Sequence, residues 1–188
     1  MRRSYDHQDP ERAAIQVLSQ MAMDGNDTIT VPVDVEQIAK KLGLQVEYRS
    51  FKGMHADSLS GLLVRMNPGE PFRAVVNAQD STHRQRFTLA HEIGHYVHKY
   101  SDTPEDDTPG LVEHRDELSS RGTDSEEIWA NRFAAALLMP ASNIMQLWGQ
   151  GWAVTRIADF YNVSPEAVEH RLWNLGLHSV GRVDDSQQ

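Results

Sequence analysis

The chain contains no cysteine. Disulfides and thiolate metal ligands are therefore excluded, and any bound metal must be held by nitrogen and oxygen donors. Long apolar runs are missing too: the longest, Phe133 to Met139, stops at Pro140, well short of the roughly 20 residues that span a bilayer. Positive charge is scarce, with 18 Lys and Arg against 27 Asp and Glu and a net charge of −9. Because affinity for DNA rests largely on phosphate neutralisation, that balance argues against autonomous DNA binding. The opening Met1-Arg2-Arg3-Ser4-Tyr5-Asp6-His7 has arginines with no apolar segment behind them. It does not read as a secretory signal, and a cytoplasmic protein is the expectation. What remains is 188 residues with 39% hydrophobic content, enough to bury one substantial core with a small subdomain.

Histidine is plentiful, with 9 in the chain, and two of them frame the most informative segment, His91-Glu92-Ile93-Gly94-His95. At 100° per residue, positions four apart share one helix face, so both imidazoles can reach one ion. Glu92 lies beside them without being a third ligand, placed to take a proton from a water that the metal activates. Leu89, Ile93 and Val97 recur every fourth residue and give the helix a stripe to face a core. Gly94 costs about 1 kcal/mol against alanine inside a helix, so its small size must serve a close approach by another backbone or a substrate.

Catalytic zinc usually takes three protein ligands and leaves a fourth position open. The long metzincin pattern is excluded, since Ser101 stands where its third histidine would be and His98 where it needs glycine. The next strong helix, from Ser125 toward Pro140, carries Glu126 and Glu127. Acids in a first helical turn also serve the helix dipole, and Thr123 with Glu126 fits a capping box that would leave Glu127 free. Glu127 and Asn131 are four apart, so Asn131 can hold a ligand histidine through a hydrogen bond. His98, Glu113 and His114 compete for the third position, and spacing alone leaves the choice open.

Elsewhere, Glu11 to Met21 reads as an amphipathic helix, and Asp34 caps a helix that stops at Gly43. Strands follow at Leu44 to Tyr48, Leu59 to Met66 and Phe72 to Asn77, and an edge of such a sheet suits an extended peptide. The acidic stretch from residue 101 to 124 reads as a solvated loop. Val154 to Phe160 and Pro165 to Leu175 form a helix-turn-helix-like pair, with Ser164 as N-cap and Gly176 as stop. Glu166 and Glu169 on its second helix disfavour DNA, and packing or docking of a protein is the better reading. Trp148, Trp152 and Trp173 are expected in the core.

The run RQRFTLAHEIGHYVH, followed by EIWANRFAAALLMP, resembles the ImmA/IrrE family of bacterial metallopeptidases. The resemblance extends upstream to Val31-Pro32-Val33-Asp34 and Asp57-Ser58-Leu59-Ser60-Gly61, and so covers most of residues 30 to 178. It implies that His91, His95 and Glu127 are the zinc ligands and Glu92 the general base. One departure stands out: many members have a second glutamate where this chain has Trp129. The implied fold is α+β, a zincin-like metallopeptidase core with about three strands packed on helices over residues 1–140, residues 1–10 being loose. A C-terminal helical subdomain over 141–178 packs on it, and 179–188 is a flexible tail. The implied activity is cleavage of a helix-turn-helix repressor by an intracellular, membrane-free, zinc-dependent endopeptidase. Manganese or iron(II) also suits a His-His-Glu set. The rival is a regulator with a non-catalytic zinc site that binds a repressor or DNA. His98, Tyr96 and Arg115 are the candidates for stabilising an oxyanion.

Overall fold

The computed structural model describes residues 5–21, 29–51, 59–102, 111–114 (backbone only) and 125–177. Helix α1 (Pro10–Met21) and α2 (Val35–Leu42) lead into strands β1 (Gln45–Arg49), β2 (Gly61–Arg65) and β3 (Arg73–Asn77). The long helix α3 (Thr82–Lys99) comes next, then β4 (Leu111–His114), α4 (Ser125–Leu138), α5 (Ala141–Gly149), α6 (Val154–Tyr161) and α7 (Pro165–Asn174). The class is α+β, as expected.

The sheet order is β1-β3-β2-β4, with β1 parallel to β3 and the other neighbours antiparallel. A fourth strand, β4, adds to the three that were expected. It lies inside the acidic stretch read as a loop, where Leu111-Val112 is too short a run to stand out against the surrounding charge. Central β3 is buried along most of its length, whereas edge strand β1 is largely exposed, as their positions demand.

Local chemistry sets the helix ends. Asp34 Oδ1 accepts from the Gln37 backbone N–H at 2.9 Å, and Gly43 terminates α2 in the left-handed region at φ 89°. Ser81 caps α3, and Ser164 caps α7 by accepting from Ala167 N–H at 3.2 Å. Along α3 every residue from Thr88 to His95 is buried, because the sheet covers one face and α4 the other.

The N-terminal segment also departs from expectation. Residues 5–10, read as loose, are anchored: Tyr5 joins the core, and Asp6 accepts from the backbone of Gln8 and Asp9. Asp9 in turn accepts from Glu11 N–H at 2.9 Å and starts α1. Polarity alone hid this, since the aspartates work as caps and the aromatic carries the packing. Residues 1–4 and the tail beyond 177 lie outside the described residues. Trp173 is the other surprise, at 69% exposed. On α7 the inward positions are taken by Val168, Arg171 and Leu172, which turns Trp173 outward. Trp148 and Trp152 do pack against the core, half-buried.

One buried cluster runs from Tyr5 to Leu172, so α5, α6 and α7 share a core with the preceding elements. Two arginines tie them down. Arg86 on α3 donates to the carbonyls of Asn162 and Val33, each at 3.1 Å. Arg171 on α7 donates to the Met139 carbonyl at 3.0 Å and forms a two-point ion pair with Glu11 on α1. Among the described residues no helix is long and apolar enough to cross a membrane. Removing a buried cation's side chain strands its partners. Arg171→Ala should therefore lower unfolding stability by about 2–4 kcal/mol in urea titrations, and a change below about 0.5 kcal/mol would show that the pair contributes nothing.

Candidate metal centre

Helix α3 presents His91 and His95 one turn apart, and α4 crosses it so that Glu127 reaches both. The crossing is close because of Gly94. A Cβ there would stand 3.0 Å from Phe133 Cδ1 and 3.3 Å from Ala130 Cα. The small residue seen in the sequence thus admits the backbone of α4. Nε2 of His91 lies 3.1 Å from Oε2 of Glu127, and Nε2 of His95 lies 3.0 Å from Oε1. The two Nε2 atoms are 2.9 Å apart. One donor atom from each of the three residues falls within 4.8 Å of the others, and all three side chains are buried.

Asn131, one turn beyond Glu127, accepts a hydrogen bond at Oδ1 from Nδ1 of His91 at 3.0 Å. That bond fixes the tautomer, so neutral His91 carries a lone pair on Nε2. The lone pair faces a carboxylate oxygen. Two acceptors in contact in a buried site repel each other unless a proton or a metal cation lies between them. Two nitrogens and an oxygen carboxylate form a donor set suited to zinc and tolerable for manganese or iron(II). Burial pushes the Glu127 carboxyl up, but where a proton rather than a metal fills the gap, the hydrogen bonds from protonated His91 and His95 and their charges outweigh it and hold the group well below the usual carboxylate range. It is ionised at neutral pH.

Glu92 is buried between α3 and β2. Its position depends on Gly61, where a Cβ would fall 2.3 Å from Thr88 Cγ2, 3.1 Å from Glu92 Oε1 and 3.1 Å from the Val75 carbonyl. Nothing in the local sequence announces this contact, which is made between a strand and a helix that are distant in the chain.

The competing residues are engaged elsewhere or not described. The ring of His98 stacks on Trp129, centroids 4.4 Å apart, and its carbonyl accepts from Nδ1 of His7 at 2.7 Å. Burial and the neighbouring His7 lower the His98 pKa. Trp129, the departure from the resembled pattern, is buried in a stack running from His98 to Phe133. Glu126 pairs with Lys99. Tyr96 meets Phe72 edge-on at 5.5 Å. Thr123 and Arg115 lie outside the described residues, as do the side chains of Glu113 and His114.

Two tests follow from this geometry. Asn131→Ala should weaken zinc affinity roughly 10–100-fold in a competitive chelator titration, because the histidine loses its orienting partner; unchanged affinity would remove Asn131 from the site. Gly61→Ala should lower the unfolding free energy by about 1–3 kcal/mol. Gly149→Ala, where a Cβ meets nothing within 4 Å, should be neutral or stabilising by up to about 1 kcal/mol. Equal effects in thermal unfolding would mean that Gly61 is not tightly packed.

A family model described as the IrrE N-terminal-like domain, Peptidase_M78, matches residues 39–173, well over half of the chain and all of the centre. No curated protein matches the chain.

Proposed function

Since the chain belongs to the IrrE N-terminal-like peptidase family, we propose that it is a zinc-dependent endopeptidase acting on a specific protein. The observation that carries this reading is the convergence of His91, His95 and Glu127 in a buried cluster, with a buried carboxylate, Glu92, one residue from the first of them. A divalent cation held there supplies Lewis acidity, favouring deprotonation of a water and polarising a peptide carbonyl.

The chain's own residues do the rest. Asn131 keeps Nδ1 of His91 protonated and its Nε2 turned toward Glu127, where it would hold the ion. Glu127 adds a negative charge that offsets part of the cation's charge in a low-dielectric site. Glu92 accepts the proton of the attacking water and returns it to the leaving amine, and its burial strengthens that exchange. Gly61 leaves room for the Glu92 carboxylate beside β2.

The substrate we propose is a helix-turn-helix repressor, whose cleavage relieves repression; the ImmA/IrrE resemblance supports this choice. DNA is disfavoured as a ligand by the net charge of −9 and by the exposed Glu166 and Glu169 on α7.

The test incubates the zinc-loaded protein, and its Glu92→Gln form, with the helix-turn-helix repressor encoded nearest to it, and reads new termini by mass spectrometry. A single cut by the wild type is expected. Glu92→Gln should retain zinc and cut roughly 10²–10⁴-fold more slowly. Stoichiometric binding by both forms without any cut would instead support a non-catalytic regulator.

A further inference from the structure

Beside the ligand set, the first half of α3, the outer face of α4 and one face of α7 along its length border a cleft of about 840 Å³. Asn131 lies in its wall, so the cleft adjoins the side chain that holds His91. Phe87, Ile128 and Val163 give it an apolar lining. Phe87 sits one turn before His91, and Ile128 directly follows Glu127, so the helices that position the metal ligands also shape this surface.

Its charge runs against that of the chain. The charged residues lining the cleft are Arg84, Arg132 and Arg171, against Glu166, in a chain whose net charge is −9. Arg171 is committed to Glu11. Arg84 donates from Nε to Ser60 Oγ at 2.8 Å, stands 3.3 Å from Asp80, and remains largely exposed. Arg132 is exposed and makes no ion pair or hydrogen bond among the described residues. His83 and His170 add further donors on the rim. An uncommitted arginine over an apolar floor has a defined complement: a carboxylate for the guanidinium, with an apolar neighbour for the floor.

We propose that this cleft is the docking site for an acidic, partly apolar segment of the protein substrate. Carboxylates of that segment pair with Arg132 and Arg84, while adjacent aliphatic side chains rest on Phe87 and Ile128. The assignment rests on the peptidase reading only in calling the partner a substrate. A nucleic acid fits less well: Glu166 on the rim and Glu169 on the same helix oppose a phosphate backbone, and an apolar floor does nothing for it. Docking here brings the segment against Asn131 and hence next to the metal ligands, which couples recognition to the position of the scissile bond.

The test reads binding, not cleavage. A short fluorescein-labelled peptide alternating glutamate and leucine is titrated with the zinc-loaded Glu92→Gln protein, and anisotropy is followed beside a lysine–leucine counterpart. The acidic peptide should bind with an affinity that falls as salt rises, and the basic one should not. Arg132→Glu should weaken the acidic peptide about tenfold or more, while Arg132→Lys keeps the affinity within about threefold. Arg132 is exposed, so neither change threatens the fold. No binding of the acidic peptide, equal binding of both peptides, or an Arg132→Glu form that binds as before would overturn the proposal. A DNA duplex that binds more tightly and displaces the peptide would overturn it in favour of nucleic acid. Peptide binding lost in Arg132→Glu, with no repressor cut by the wild type, would sink the peptidase reading alone. Cleavage of a repressor unaffected by Arg132→Glu would sink the docking site alone.

Discussion

The close crossing of α3 and α4 is the constraint on which the rest of the structure depends. Gly94 lies between the two histidines on α3, and Ala130 lies between Glu127 and Asn131 on α4; the two helices touch there so closely that a methyl group on Gly94 would make its neighbours give by a few tenths of an ångström. Each helix therefore presents its polar residues within one turn of the contact point. Glu127 meets both imidazoles, and Asn131 meets the far nitrogen of His91. Metal–ligand distances tolerate only about 0.2 Å of error, which is no more than the shift that an extra methyl at such a contact asks of its neighbours. Packing at this glycine thus bears directly on how closely the three donors can approach one another.

The second constraint comes from the other face of α3. The sheet presses on it through β2, and Gly61 marks a point of close approach, against Thr88 and Glu92. Glu92 is thereby held between strand and helix while its neighbours His91 and His95 face α4. One helix, buried on both sides, keeps the two histidines and Glu92 on different faces of the same turn. The C-terminal helices complete the arrangement from outside. Arg86 and Arg171 bind them to the core, and α7 then forms one wall of the basic cleft next to Asn131. The proposed docking cleft and the candidate metal centre are consequently built on the same pair of helices.

Much of this was legible in the sequence wherever the signal is local. The His-Glu-x-x-His spacing, the Leu89-Ile93-Val97 stripe, the caps at Asp34 and Ser164 and the stop at Gly43 each depend on residues within a turn or two, and the helices run accordingly. The third donor was harder, because Glu127 is distant in the chain from His95 and spacing could not choose it over His98. Three features were missed for want of a local signal. The strand at Leu111–His114 is short and sits among acids, the anchoring of Tyr5 depends on a partner surface made far away, and the contact of Gly61 with Glu92 joins strand to helix. Trp173 was placed inside because tryptophan is usually buried; only the phase of α7, with Arg171 turned inward to Glu11, shows that it points out. The basic cleft was missed for a related reason. Arg84, Phe87 and His91 share a helix face by spacing, but that face becomes a cleft only when α4 and α7 close around it.

The central claim is that two imidazoles and one carboxylate close around a single cation, and X-ray absorption at the zinc edge tests it most directly. The account predicts a first shell of nitrogen and oxygen at about 2.0–2.1 Å, containing two imidazoles, and the loss of one oxygen ligand in a Glu127→Ala form. A shell with three imidazoles, or a spectrum identical in wild type and Glu127→Ala, would contradict it.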